Sequence, residues 1–215
     1  MNLPFTHEQF LDVFAVYNRL FGLVVFLLWA GTLAVLASLW RRGPASSPML
    51  AGLLAFHWAW SGIAYHLLLF RAINPAAVLF AALFVAQAAL LAWRGVVGRQ
   101  VVFSPARSGW GALGIVLAGY ALAYPGIGLL TGLRYPRMPT FGVPCPTTIL
   151  TAGLLLLVPA REARLLAVIP VLWSAIGGSA AFSLGIRPDL ALPIAGTALL
   201  LHTLQPARRQ PSLGS

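Results

Sequence analysis

The sequence predicts an all-α membrane protein, a polytopic bundle of about seven transmembrane helices with six as the alternative count. The first observation is composition, because 60% of the 215 residues are hydrophobic and 8% are charged. Soluble domains carry about 25% charged residues. The second is a mean hydropathy of +0.87, which leaves too little polar surface to cover a globule in water. The third is a series of apolar runs separated by short polar gaps, which is typical of membrane spans.

The first predicted element is an amphipathic N-terminal helix over residues 1–17. Thr6 and Gln9 form a T-x-x-Q capping box, which satisfies free amides at a helix start. One face carries apolar residues at helical spacing: Phe10, Val13, Phe14 and Tyr17. We expect this helix to lie on the membrane surface or to pack on the bundle. No basic region precedes it, so we expect no cleaved signal peptide.

The transmembrane bundle is predicted over residues 18–205, followed by a disordered polar tail over 206–215. Its seven apolar segments are roughly 18–39, 48–70, 75–93, 110–130, 146–159, 165–184 and 190–204. The fifth segment has only about 14 residues, short of the roughly 20 that cross a bilayer. It could be tilted, shielded by neighbouring helices or paired with the sixth in a hairpin, which gives the alternative count of six.

Small residues recur in the fourth and sixth segments and predict close helix packing. In the fourth they are Gly111, Gly114, Ala118, Gly119, Gly126 and Gly128. In the sixth they are Ser174, Gly177, Gly178 and Ala181. Such residues let helix backbones approach each other in lipid.

The arginines predict the orientation of the chain. All 14 basic residues are arginine, and they lie in the gaps between apolar runs, which argues against a nucleic-acid partner. With the N-terminus outside, nine fall on the inner side: Arg41, Arg42, Arg94, Arg99, Arg107, Arg161, Arg164, Arg208 and Arg209. Five fall on the outer side: Arg19, Arg71, Arg134, Arg137 and Arg187. We therefore expect a multi-pass protein of the cell inner membrane with its N-terminus outside and its C-terminus in the cytoplasm.

The most informative polar segment runs from Tyr135 to Thr148 and carries four prolines that stiffen it. Cys145 precedes Pro146, which suits the first turn of a helix, so the cysteine is expected at the N-cap. There the helix dipole favours a thiolate or a bound anion. The alternative is a rigid plug in which Cys145 is a small buried hydrophobe. As the chain's one cysteine, it forms no intramolecular disulfide.

Two histidines lie in the second apolar segment. His57 and His66 are nine residues apart, which puts them roughly 13 Å apart on opposite sides of a helix. They therefore do not ligate one metal ion directly. Ionisable groups inside membranes are functional candidates, and His66 is the stronger of the two. The alternative is that a hydrogen bond to water or backbone satisfies His66, because it lies near the outer end of the segment.

The predicted site lies on the outer side, where the unusual polar residues collect. Asn74 and Asp189 each open a helix, and capping is the first explanation for both. The expected binding residues are Glu8, His66, Asn74, Tyr135, Thr140, Cys145 and Thr147. Catalytic residues are unknown, with Cys145 and His66 as candidates. No spacing demands a metal site, no catalytic signature appears, and any cofactor is unknown.

Several strings resemble an uncharacterised bacterial multi-pass membrane family, known only as a domain of unknown function. They are Phe5-Thr-His-Glu-Gln-Phe10, Tyr65-His66, Ile73-Asn-Pro-Ala-Ala77, Pro139-Thr-Phe-Gly-Val-Pro-Cys-Pro-Thr-Thr148 and Trp173-Ser-Ala-Ile-Gly-Gly-Ser-Ala-Ala181. The resemblance covers nearly the whole chain. It implies a multi-pass membrane location and no particular activity.

Three functions remain open at this point. The leading hypothesis is a small-solute or ion permease or binding protein with its site at the outer face. The second is an intramembrane enzyme or redox protein that uses Cys145 and His66, with Asn74 or Thr147 as oxyanion donor. The third is a non-catalytic membrane scaffold. We lean against an enzyme, and expect as partners the lipid bilayer, a small solute or ion, and a second copy of the chain.

Overall fold

The computed structural model of the protein describes residues 4–40, 46–104 and 108–206. Five arginines used for the orientation lie outside the described residues: Arg41, Arg42, Arg107, Arg208 and Arg209. The same holds for the predicted disordered tail from residue 207 onward. Within the described ranges the chain is all-α and contains no strand, as the sequence predicts.

Seven α-helices occur in the described ranges, in the order of the seven apolar segments. They are α1 (His7–Trp40), α2 (Ser46–Trp60), α3 (Ala77–Leu91), α4 (Gly109–Leu130), α5 (Pro144–Leu155), α6 (Ala160–Leu184) and α7 (Ala191–Thr203). Wider π-type turns continue α2 over Ser61–Leu67 and α3 over Ala92–Val97. Short 3₁₀ turns form Phe70–Ala72 and Arg187–Leu190.

Five of these helical stretches are long and apolar enough to cross a membrane. They are His7–Ser38, Ser46–Ala72, Ala77–Val97, Gly109–Leu130 and Ala160–Leu184. By contrast, α5 and α7 have 12 and 13 residues. At 1.5 Å per residue they reach only about 18 and 20 Å, against a hydrocarbon core of about 30 Å. The predicted count of seven spans is therefore not confirmed, although the number of helices agrees with it.

The N-terminal segment is not a separate helix, because α1 runs without a break through the predicted boundary at Asn18. Its apolar face packs on the bundle, where Phe14 and Tyr17 are buried. Thr6 and Gln9 exchange hydrogen bonds of 3.2 and 2.8 Å, so the predicted capping box forms.

The short helix α5 is held inside the bundle by its neighbours. It contacts α2, α4, α6 and α7, and 11 of its residues are buried. The backbones of α4 and α5 approach so closely that a Cβ on Gly114 would lie 2.5 Å from the Gly153 carbonyl oxygen. A non-spanning helix at membrane depth is tolerated where protein surrounds it. This burial corresponds to the shielded alternative that the sequence left open for the fifth segment.

One end of the bundle, called here the proline-rich end, carries the loop over residues 131–143 between α4 and α5. Asn18 of α1 anchors this loop by donating from Nδ2 to the carbonyl oxygens of Pro136 and Met138 at 2.7 and 2.8 Å. The Thr140 hydroxyl donates to the Asn18 Oδ1 at 2.5 Å. Arg137 forms ion pairs with Glu8 and Asp12 of α1 on the exposed side. The loop is thereby fixed over the helix ends rather than left loose.

Candidate functional site

A cavity of about 170 Å³ lies at the proline-rich end, between α1, α6, the segment that joins α2 to α3 and the first residues of α5. We call it the aromatic cavity because seven aromatic side chains line it. The rings belong to Phe5, Phe10, Phe14, Tyr65, Phe70, Phe80 and Trp173. Three polar side chains that bear on its chemistry also line it: His66, Cys145 and Asp189. A cavity of roughly 150 Å³ is large enough to hold a benzene-sized molecule.

His66 lies in the cavity wall without any hydrogen-bond partner. The side chain is 0% exposed, and neither ring nitrogen has a partner among the described residues. Aromatic rings surround it, with centroids 4.8 Å away at Phe84 and 5.0 Å away at Trp173. The indole N–H of Trp173 is buried beside the Cys145 thiol. Since buried polar groups in proteins are nearly always paired, the two imidazole nitrogens of His66 point to a partner that the described residues do not supply.

The local backbone explains how His66 reaches this position. The π-type turns over Ser61–Leu67 widen the helix, with Leu68 N–H donating to the Ile63 carbonyl at 3.0 Å. Gly62 allows the widened segment to approach α3, because a Cβ there would lie 2.9 Å from the Cβ of Phe84. Such π-type segments occur frequently at functional sites.

Asp189 is the buried acid of the cavity, with 2% of its surface exposed. The Tyr124 hydroxyl donates a hydrogen bond to its carboxylate, and the Cys145 thiol lies beside it. Burial raises the pKa of Asp189 to about 6, and the contacts with Tyr124 and Cys145 offset part of that rise. No arginine or histidine in the described part of the chain forms an ion pair with it.

Cys145 is partly accessible and free. It is not the N-cap, because α5 begins at Pro144 and Val143 takes the cap position. Burial and the neighbouring Asp189 carboxylate raise the pKa of the Cys145 thiol well above its ordinary value. The apolar surroundings and the nearby carboxylate therefore oppose the thiolate that the sequence suggested at this helix start.

Two of the other predicted binding residues differ in their relation to the cavity. Asn74 lines the cavity, and its Oδ1 accepts the Ala76 N–H at 3.1 Å, but it does not cap α3, because Ala76 takes the N-cap position and has no side-chain cap hydrogen bond. Glu8 does not line the cavity but is exposed and paired with Arg137. In the described ranges no three His, Cys, Asp or Glu side chains are grouped to hold a metal ion.

The remaining predicted residues belong to the loop and the helix interior. Tyr135 is 62% exposed, and Thr140 is buried against Asn18. Thr147 is buried with an unpartnered hydroxyl, but it does not line the cavity. His57 lies deeper in the bundle, with Nε2 2.9 Å from the Thr32 hydroxyl. The structure thus brings His66, Asn74 and Cys145 together and leaves the other four predicted binding residues outside the cavity.

The sequence-based prediction missed two features of the site, the buried carboxylate of Asp189 and the aromatic wall. It gave Asp189 only a capping role and assigned no role in the site to the aromatic residues. Asp189 meets Tyr124 and Cys145 only through folding, because 65 residues separate it from the tyrosine. One signal was present in the sequence, since the chain has four acidic residues in all and Asp189 lies between apolar segments. An intramembrane or interfacial carboxylate is a functional candidate by default.

The sequence profile of a family described as "Family of unknown function (DUF6064)" matches residues 7–213. No curated protein and no solved structure matches the chain.

Proposed function

The chain belongs to this family of unknown function, DUF6064, and from the site geometry we propose that it is a membrane protein that binds a small solute in the aromatic cavity. Five apolar helices that could cross a bilayer support the membrane part of the proposal. The cavity lies between helices of the bundle at the proline-rich end, and pockets between the helices of a bundle are common ligand sites.

The observation that carries the proposal is His66, whose two ring nitrogens lack partners in the cavity wall. Leaving a buried polar group unpaired costs about 1–3 kcal/mol. A bound solute that donates to or accepts from this imidazole would remove that cost. The Trp173 indole N–H lies in the same wall, beside the Cys145 thiol.

The orientation of the chain is part of the proposal. We infer that the N-terminus lies outside the cell inner membrane, because most arginines fall in the opposite set of segments. The cavity would then face the outer side, and a solute would enter from there. Exposed Ser179 and half-buried Asn74 and Ala180 belong to the accessible part of its lining.

Binding is favoured over the alternative of a nucleophilic cysteine enzyme. The Cys145 thiol lies beside the Asp189 carboxylate, which disfavours the thiolate needed as nucleophile. We therefore assign Cys145 and His66 to the wall of a binding site rather than to a catalytic pair.

Thermal unfolding of the purified protein in lipid nanodiscs tests the proposal. A panel of small amines, carboxylates, alcohols and sugars is added to wild type, Ala180→Phe and Ala175→Phe. Ala180 lines the cavity, whereas Ala175 lies exposed on the same helix. We expect one solute class to raise the Tm of wild type and of Ala175→Phe. The stabilisation is about 2.7 kcal/mol at one hundred times the Kd.

Ala180→Phe should lose this response because its ring fills the cavity. If no solute distinguishes Ala180→Phe from Ala175→Phe, the proposed site is wrong. Flux of the stabilising solute into liposomes then decides between a permease and a binding protein: uptake that Ala180→Phe abolishes identifies a permease.

A further inference from the structure

Asp189 places a carboxylate in the cavity wall without a counter-charge. The charged and titratable groups that face it are the phenols of Tyr65, Tyr120 and Tyr124 and the Cys145 thiol. All of these are neutral groups at pH 7, when phenols and thiols keep their protons. Arg187 lies two residues away but is exposed. The cavity therefore carries a net negative charge that no described basic residue neutralises.

The wall around this charge suits an organic cation better than a hydrated ion. Tyr65, Phe70, Phe80 and Trp173 contribute ring surfaces to the lining. Aromatic faces attract a cation through their quadrupole, and the attraction is greater when the cation has lost its water. A small metal ion instead needs several oxygen ligands, and no cluster of three acidic, His or Cys side chains occurs in the described ranges.

His66 adds a matching hydrogen-bonding group. A neutral imidazole has one nitrogen that accepts a hydrogen bond, and both nitrogens of His66 are free in the wall. An ammonium N–H placed between the carboxylate and this imidazole would satisfy both groups. An anionic solute would have the imidazole and indole as donors, but it would also face the buried carboxylate.

We propose that the solute taken by the aromatic cavity is a small organic cation, an alkylated amine or ammonium, held by Asp189 and His66 against the aromatic wall. This inference rests on the proposed solute-binding function and names its ligand class. The cavity of about 170 Å³ limits the cation to a few carbon atoms around the charge.

Cys145 provides the test, because it is the one thiol of the chain and lines the same cavity. Its labelling rate is measured with a trimethylammonium-ethyl and a sulfonato-ethyl methanethiosulfonate reagent, which are similar in size and opposite in charge. The thiolate attacks the sulfenyl sulfur, a mixed disulfide forms and methanesulfinate leaves. The ratio of the two rates, divided by the same ratio for free cysteine, cancels differences in thiolate fraction.

We expect this normalised ratio to favour the cationic reagent by at least about tenfold. This value is the lower end of the rate enhancement that a charged cleft gives by concentrating its counter-ion. Asp189→Asn should reduce it to near one. If both reagents react at the free-cysteine ratio, the cavity admits solutes without a charge preference, and the cation inference fails while the proposed function stands. If neither reacts until the protein is unfolded in SDS, both fail. A preference for the anionic reagent also overturns the inference.

A second measurement needs no variant and covers the case in which Asp189→Asn does not fold. Tetramethylammonium, as chloride, is added to wild-type protein during labelling with the neutral methyl methanethiosulfonate, and tert-butanol serves as its uncharged equivalent of similar size. We expect tetramethylammonium to slow the labelling of Cys145 and tert-butanol not to slow it at the same concentration. Equal protection by both compounds, or by neither, contradicts a cation site.

Discussion

At the scale of single residues, the carboxyl group of Asp189 determines the chemistry of the site. It is 2% exposed and receives a hydrogen bond from Tyr124, yet its pKa is raised to about 6 because burial penalises the charged form. An unfolded aspartate has its ordinary pKa of 3.8. The folded state therefore binds the proton more strongly, and the free energy of unfolding falls as pH rises from about 4 through 6.

This linkage predicts the pH dependence of stability. The rise of the Asp189 pKa from 3.8 to about 6 corresponds to about 3 kcal/mol lost between pH 4 and pH 7. Asp189→Asn keeps an acceptor for Tyr124 but removes the titration, so its stability should fall less over the same range. Thermal unfolding of both proteins in nanodiscs at several pH values measures the difference. Parallel pH profiles would show that Asp189 does not titrate as a buried acid.

The candidate residues also show which parts of the site can be predicted from the sequence. His66, Asn74 and Cys145 can be selected because polar side chains near the ends of apolar segments are unusual. Glu8 and Thr140 are selected on the same grounds, but they pair with Arg137 and Asn18 away from the cavity. Nothing in the spacing reveals those pairs, because each joins residues more than 100 positions apart.

At the scale of helices, the contact between α4 and α5 depends on two glycines. Gly114 and Gly153 face each other's backbones, and a Cβ added to either would meet the opposite carbonyl oxygen at 2.5 and 2.7 Å respectively. Backbone cannot move aside as a flexible side chain does, so any larger residue forces the two helices apart. Because α5 starts with Pro144 and Cys145, this contact also holds the cavity wall in place.

Gly114→Ala should therefore destabilise the protein by about 1–3 kcal/mol, the usual cost of overpacking a helix contact. Gly119→Ala on the same helix is the matched control, because no atom lies within 4 Å of the added Cβ. The control should leave the Tm unchanged or slightly higher, since alanine favours a helix over glycine. Circular dichroism melts in detergent measure both variants, and an equal Tm would show that the helices are not in close contact here.

The helices that the sequence predicts well are those with an uninterrupted apolar run of spanning length. Composition does not show whether a short apolar helix crosses the bilayer, which is why α5 and α7, with 12 and 13 residues, leave the predicted count of seven spans unconfirmed. Small residues predict close packing correctly at Gly114 and Gly178, whereas Gly119 and Gly126 face open space. The sequence-based prediction did not include the π-type turns that carry His66 over Ser61–Leu67.

At the scale of the whole molecule, five apolar helices form a bundle with the short α5 packed inside it, and the proline-rich loop covers one end. Asn18 ties that loop to α1, so the cavity at this end is bounded on several sides by fixed elements. The hydrophobic effect explains the apolar exterior in lipid, but the buried polar groups at this end require a separate explanation. A solute in the aromatic cavity supplies one.

Whether solutes reach the cavity at the proline-rich end is tested most directly by labelling Cys145. The rate at which methyl methanethiosulfonate, a small neutral reagent, modifies Cys145 is measured in the folded protein in nanodiscs. Intact-mass spectrometry follows the reaction, since the chain has one thiol. We expect wild type and Ala175→Phe to react at similar rates and Ala180→Phe to react at least about tenfold more slowly, because a filled cavity excludes the reagent. Equal rates in the two phenylalanine variants, or a thiol that reacts only after unfolding, would contradict a solute-accessible cavity at the proline-rich end.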